Sequence, residues 1–259
     1  MQLSFYQIDT FTEKVFSGNP AAVCPLDYWL DDELLQAIAL ENNLSETAFF
    51  VPSRKGYHIR WFTPATEVNL CGHATLASAY VIFNYLSPQS TQIKFSSASG
   101  PLIVSRENDR IILDFPANPP KACEPPSFLS EALGIEPSEV WWCDDYLVVL
   151  DSEEAIRKVK PDFPLIRKLD GQGVIVTARG GEVDFVSRYF APKVGIDEDP
   201  VTGAIHCALI PFWSERLRKN ELIARQLSQR GGELYCTCQG ERVLIGGYAA
   251  EYLQGKIIL

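Results

Sequence analysis

The sequence predicts an α+β protein of two pseudo-symmetric domains, each a mostly antiparallel sheet wrapped around one apolar helix. Three observations carry this. Short β-branched or aromatic runs between turn residues outnumber helical patterns. Two helices, one in each half, are apolar nearly all round, the pattern of a helix buried on every side. Finally, Arg60-Trp61-Phe62-Thr63-Pro64 returns 128 residues later as Arg188-Tyr189-Phe190-Ala191-Pro192. An offset close to half of 259 residues indicates two homologous halves.

In order, residues 3–11 read as a strand. No basic segment or long apolar run opens the chain, so this is not a signal peptide. Gly18-Asn19-Pro20-Ala21-Ala22-Val23 carries a turn signal. Asp31 and Asp32 can cap a helix whose apolar positions are Leu34, Leu35, Ile38 and Ala39. Strands are expected at 47–51, 57–62, 92–97, 102–106 and 110–115, with the first apolar helix at 73–85. Five of the eleven positions from 116 to 126 are proline, which marks a linker. The domains are therefore 1–117 and 118–259, with a last strand able to pack back on the first domain. In the second half, 127–133 and 152–159 read as helices and 204–213 as the second apolar helix. Strands are expected at 146–150, 174–178, 183–190, 222–227, 233–238 and 243–245.

Composition narrows the function. A net charge of −10 and a pI near 4.9 argue against nucleic acid and against anionic membrane surfaces as partners. No stretch approaches the ~20 apolar residues of a membrane span, and a soluble cytoplasmic protein is expected. The seven cysteines form no CxxC pair and are expected to be reduced. With three histidines and no HxxxH, no metal site is expected. Neither GxxxxGK[ST] nor GxGxxG is present, so nucleotides are not indicated.

The two apolar helices begin at Cys71-Gly72-His73-Ala74-Thr75 and Asp199-Pro200-Val201-Thr202-Gly203-Ala204. Their first N–H groups lack intrahelical acceptors and the dipole end is positive, so both are anion sites in kind and capped helix starts at the least. Glu46 opens an apolar strand beside Leu44, Ala48 and Phe49. A carboxyl among apolar neighbours suits general acid/base work, although a solvated strand-start residue fits the same spacing. His73 at a helix start is either a neutral proton donor or a packing residue. Asp199 is either an N-cap or an assistant to chemistry, and His206 reads as a satisfied core histidine. Cys71 is a packing thiol or a base, and no second thiol stands at the matching place. Asn19 and Arg230 lie in turns from which either side chain could reach an anion.

Taken together, Phe16-Ser17-Gly18-Asn19-Pro20, Asn43-Leu44-Ser45-Glu46-Thr47, Leu70-Cys71-Gly72-His73-Ala74, Asp199-Pro200-Val201-Thr202-Gly203 and Gln229-Arg230-Gly231-Gly232 resemble the PhzF family of phenazine-biosynthesis-like isomerases. The resemblance runs in order along essentially the whole chain. It implies a diaminopimelate-epimerase-like fold with the active site between two domains, a homodimer, and proton transfer without a cofactor on a small carboxylate substrate. By the same resemblance Glu46 takes a proton from one carbon of a dihydro-hydroxyanthranilate-like ring and returns it at another. His73 and Asp199 assist. Asn19, Gly72, Ala74, Thr202, Gly203 and Ala204 bind substrate. One departure stands out: the phenazine enzyme has serine where this chain has Ala204. The residues leave two other readings open, an amino-acid racemase or epimerase using Glu46 and Cys71, and a non-catalytic small-molecule binder.

Overall fold

A computed structural model describes all residues, Met1–Leu259. The chain divides into two units, Met1–Phe115 with Ile245–Leu259, and Pro116–Leu244. In chain order the elements of the first part are β1 (Gln2–Thr10), β2 (Asn19–Pro25), α1 (Asp32–Asn42), β3 (Glu46–Ser53), β4 (Gly56–Phe62), β5 (Glu67–Val68), α2 (Gly72–Val81), β6 (Gln92–Ser97), β7 (Gly100–Glu107) and β8 (Arg110–Pro116). There follow β9 (Lys121–Ala122), α3 (Leu129–Leu133), β10 (Glu139–Trp142), β11 (Tyr146–Val149), α4 (Glu153–Lys158), α5 (Phe163–Ile166), β12 (Val174–Arg179), β13 (Phe185–Phe190), α6 (Gly203–Leu217), β14 (Glu221–Gln226), β15 (Gly232–Gln239), β16 (Arg242–Gly247) and β17 (Ala249–Ile258). No helix is long and apolar enough to cross a membrane.

The first unit is a mixed sheet. β2 pairs antiparallel with β1 and parallel with β3, and β3 pairs antiparallel with β4. β4 runs parallel to β6, which makes hairpins on through β7 and β8. β17 lies antiparallel along the whole of β1, from Gln2↔Ile258 to Thr10↔Ala249. This pairing is why residues 245–259 group with the first unit and not with the second half of the sequence. Beneath α1, Leu35, Ile38 and Ala39 pack with Cys24, Phe49 and Phe62. Helix α2 has nine of ten residues buried, so its low amphipathicity is the signature of a central helix.

The second unit repeats the plan. β11 runs parallel to β12, β12 antiparallel to β13, β13 parallel to β14, and β14 antiparallel to β15. In each unit the long apolar helix is the crossover between two parallel strands, α2 between β4 and β6 and α6 between β13 and β14. The repeated arginine does the same work twice. Arg60 binds both Glu67 oxygens and lies 5.1 Å from the Phe62 ring centre. Arg188 binds both Glu198 oxygens and lies 4.7 Å from that of Phe190.

Several elements differ from the sequence reading. The expected turn at Gly18–Val23 is confined to its glycine, and Asn19 already belongs to β2. The expected helix 73–85 ends as an α-helix at Val81 and closes with one wide turn of π-helix, Ile82–Leu86. Strand β10 and the short α5 were not anticipated, and the last strand, expected to be able to pack back on the first domain, is β17, beyond the strand expected at 243–245.

Candidate active site

Four side chains of the first unit converge, and local chemistry places each. Gly18 has φ +65°, and a Cβ there would stand 2.0 Å from the Thr10 carbonyl oxygen. Only glycine allows the chain to turn so tightly into β2. Thr10 Oγ1 then donates to the Asn19 carbonyl at 2.9 Å. Helix α1 ends at Asn43 in the left-handed region, its N–H bonded to the Ala39 carbonyl. Glu46 begins β3 three residues later, opposite Ala21 in the parallel register. Cys71 is the N-cap residue of α2, and Gly72 and His73 are its first two positions. Buried hydroxyls of that helix are satisfied within it, Thr75 by the Cys71 carbonyl and Ser78 by the Ala74 carbonyl.

His73 is the hub. Its Nε2 lies 3.2 Å from Glu46 Oε2, and its Nδ1 lies 3.3 Å from Asn19 Nδ2 and 3.5 Å from Cys71 Sγ. Asn19 Nδ2 can only donate, so Nδ1 accepts and Nε2 carries the ring proton. That nitrogen stands beside the Glu46 carboxyl, but its N–H lies off the line of a hydrogen bond to Oε2. Glu46 is 9% exposed and His73 4%, which removes the reading of a solvated strand-start glutamate. Burial pushes the His73 pKa down to about 3, so the imidazole is neutral and the contact with Glu46 is an N–H against a carboxyl group, not an ion pair.

Glu46, Cys71 and His73 each offer a ligand atom within 4.8 Å of the other two. The donor types suit zinc. However, the thiol stands at Nδ1 and the carboxyl at Nε2 of one ring. A single ion would have to break one of these contacts to use all three groups.

In the second unit Asp199, 7% exposed, is held by its N–H to the Tyr189 carbonyl at 3.0 Å. Thr202 is the N-cap residue of α6 and its Oγ1 donates to Asp199 Oδ2 at 2.5 Å. Asp199 is therefore a partner of the cap residue rather than the cap. Gly203 is buried and Ala204 is exposed at the start of the helix. His206 lies in the core as expected, with Nδ1 donating to the Thr202 carbonyl at 2.8 Å. It is only half satisfied: its buried Nε2 meets no hydrogen-bond partner. Burial pushes its pKa down to about 4.

Thus Asn19, Glu46, Cys71, Gly72, His73 and Ala74 lie together at the start of α2, and Asp199, Thr202, Gly203 and Ala204 at the start of α6. Sequence reasoning missed Gln226, the last residue of β14. It is fully buried, and its side chain binds Thr202 and Asp199. A signal was present. Leu222, Ala224 and Gln226 share the inward face of a two-residue alternation, and an amide on an apolar face demands polar partners.

A family model described as phenazine biosynthesis-like protein (PhzC-PhzF) matches residues 8–255. An uncharacterized isomerase of Pseudomonas aeruginosa is 54% identical over 260 residues, with the whole of each chain covered. The crystal structure of a PhzF-family phenazine biosynthesis protein from Enterococcus faecalis superposes with a TM-score of 0.98 at 48% identity, again over both whole chains. A hydroxyproline epimerase from Agrobacterium vitis, solved with trans-4-hydroxy-L-proline, shares the fold at a TM-score of 0.65. It is 10% identical, with 99% of this chain and 92% of that one covered. The two similar halves expected from the repeat, and the diaminopimelate-epimerase-like architecture implied by the resemblance, are the fold of this chain.

Proposed function

This chain belongs to the phenazine biosynthesis-like family, and from that membership we propose that it is a cofactor-independent isomerase that moves a proton between two carbons of a small carboxylate substrate. The observation that carries the reading is the buried contact of 3.2 Å between Glu46 Oε2 and a neutral His73. Glu46 is the acid/base. Its carboxylate takes a proton from carbon as the C–H electron pair moves into the substrate's conjugated system. The new O–H then gives the proton back at another carbon, so no electrons are gained or lost overall. The His73 N–H dipole beside the carboxylate favours its charged form, and Asn19 keeps the ring in the tautomer that places the proton on Nε2. The N–H groups of Gly72, His73 and Ala74, which precede the first intrahelical donor, Thr75, suit the substrate carboxylate. Asp199 assists, and the N–H groups of Gly203 and Ala204 supply the anion contacts at the start of α6, while Thr202, which already donates to Gln226 and Asp199, holds that segment in place. With Ala204 the anion contact there is backbone N–H, without a hydroxyl.

A two-base racemase is the weaker reading. Bases attacking opposite faces of one carbon each stand about 3 Å from it, and so about 6 Å apart. The Glu46 and Cys71 ligand atoms lie within 4.8 Å of each other.

The test is proton exchange in D₂O followed by NMR, over cyclic dienes bearing a carboxylate, proline analogues and diaminopimelate. Deuterium entering one carbon of a panel member supports the isomerase. A compound that binds tightly and takes up no deuterium makes the chain a binder. Equal loss of exchange in Cys71→Ser and Glu46→Gln restores the racemase.

A further inference from the structure

We infer that Gln226 is a positioning residue that sets Asp199 and the start of α6 for chemistry; this rests on the reading that Asp199 assists the proton transfer. Gln226 is fully buried at the end of β14, where an amide is costly unless its polar atoms are partnered. Every hydrogen bond of its side chain goes to one four-residue segment. Nε2 donates to the Asp199 carbonyl at 2.8 Å and to Thr202 Oγ1 at 3.2 Å. Oε1 accepts the Thr202 N–H at 2.9 Å. Two residues on, Ser228 Oγ donates to the Pro200 carbonyl at 2.8 Å. The loop that carries Asp199 is thus fastened from β14 at Asp199, Pro200 and Thr202.

The partners also fix the direction of the protons. A carbonyl can only accept and an N–H can only donate, so the amide of Gln226 has one permitted orientation. In that orientation Nε2–H occupies a lone pair of Thr202 Oγ1. The hydroxyl proton is left to point at Asp199 Oδ2, 2.5 Å away. Gln226 therefore determines that Asp199 receives a hydrogen bond from Thr202 and does not have to give one. Uptake of the Thr202 N–H also leaves the N–H groups of Gly203 and Ala204 as the donors of the helix start. Titratable groups beside this cluster include Asp199 on the loop, His206 on α6 and Tyr189 on β13, whose carbonyl holds the Asp199 N–H and whose hydroxyl donates to Asp145, near Cys143. His206 is neutral through the range tested below.

Gln226→Glu tests this directly. While the introduced carboxyl is protonated it matches the amide in shape, accepts the Thr202 N–H and gives its single O–H to one of the two acceptors that the amide serves, the Asp199 carbonyl or Thr202 Oγ1. Once ionised it can only accept, and the Thr202 hydroxyl turns to it and away from Asp199. The Thr202 N–H keeps its acceptor throughout. The expected result is a rate of substrate exchange that falls at least tenfold as the introduced carboxyl ionises, a limb absent from the parent. The Asp199 carboxyl ¹³C resonance should shift over the same titration, while the Thr202 amide proton stays hydrogen-bonded and moves only downfield as its acceptor gains charge. Gln226→Leu should lose exchange at every pH and move the Thr202 amide, and it serves alone if Gln226→Glu fails to fold. An Asp199 resonance blind to the titration overturns the inference, as does Gln226→Leu with parental exchange. If no compound exchanges with the parent, the isomerase reading fails, and the two NMR signals still decide the role of Gln226.

Discussion

Two buried neutral histidines make this protein acid-labile in a defined window. His73 is 4% exposed and His206 fully buried, and burial pushes their pKa values from 6.5 down to about 3 and about 4. The unfolded chain binds protons at these residues below pH 6.5 and the folded chain does not, so stability falls as the pH drops through that range. The contribution is fully present above pH 6.5 and is lost steadily toward the folded values. At pH 5 the unfolded state has gained 1.5 pH units of protonation at about 1.36 kcal/mol each, about 2 kcal/mol per histidine. Together they remove about 4 kcal/mol between pH 7.5 and pH 5, a large share of a typical stability of ~5–15 kcal/mol. Carboxylates contribute little there, since their ordinary values lie near 4. The assay is urea unfolding at half-unit steps over this range for the parent, His73→Gln and His206→Gln. Each variant should flatten the slope by about half, whatever it does to absolute stability. An unchanged slope in both variants would refute the claim that the rings are held neutral.

Other perturbations follow from the same structure. Gly18→Ala places a Cβ against the Thr10 carbonyl at a positive φ; it should cost about 1–3 kcal/mol and shift the His73 ring resonances through Asn19, read by urea unfolding and NMR. Arg188→Met leaves Glu198 and the Ile156 and Val159 carbonyls without their partner, so it should cost about 2–4 kcal/mol. Arg60→Met should cost about 1 kcal/mol in the same assay, because Asp32 is largely exposed and Glu67 partly so. Burial pushes the Cys24 thiol up to about 12. The unfolded chain then loses this proton first, and Cys24→Ala should remove about 1.4 kcal/mol of the stability lost on going from pH 8 to pH 10.

Much of the architecture was legible because two physical signals are strong. All-round apolar helices have no solvated face to choose, so α2 and α6 could be read as central. The arginine motif recurs because each copy pairs a glutamate and covers a phenylalanine at the same point of the same topology. Strand β2 was not legible. Asn19-Pro20-Ala21-Ala22-Val23 has few strand formers, and its conformation comes from β1 and β3 on either side. The bounds of strand β17 were not legible because none of its residues is buried, and its partner β1 lies at the other end of the sequence. At the candidate site Glu46 and His73 stood out by their places at a strand start and a helix start, but those places fitted a solvated or packing residue as well, and only the family resemblance gave them roles. Gln226 was not legible, since its role arises from a loop 24–27 residues away in sequence. The half-satisfied state of His206 likewise depends on which ring nitrogen meets the Thr202 carbonyl.

The central claim is that the Glu46 carboxyl carries the proton. The most direct test compares deuterium uptake by the parent and by Glu46→Gln on the same exchanging substrate, with its binding measured in parallel. Glutamine keeps the shape and an oxygen beside His73 Nε2–H but cannot take a proton. The account predicts binding within a few-fold of the parent and exchange reduced by about 10²–10⁴. Exchange within tenfold of the parent, with binding intact, would contradict it.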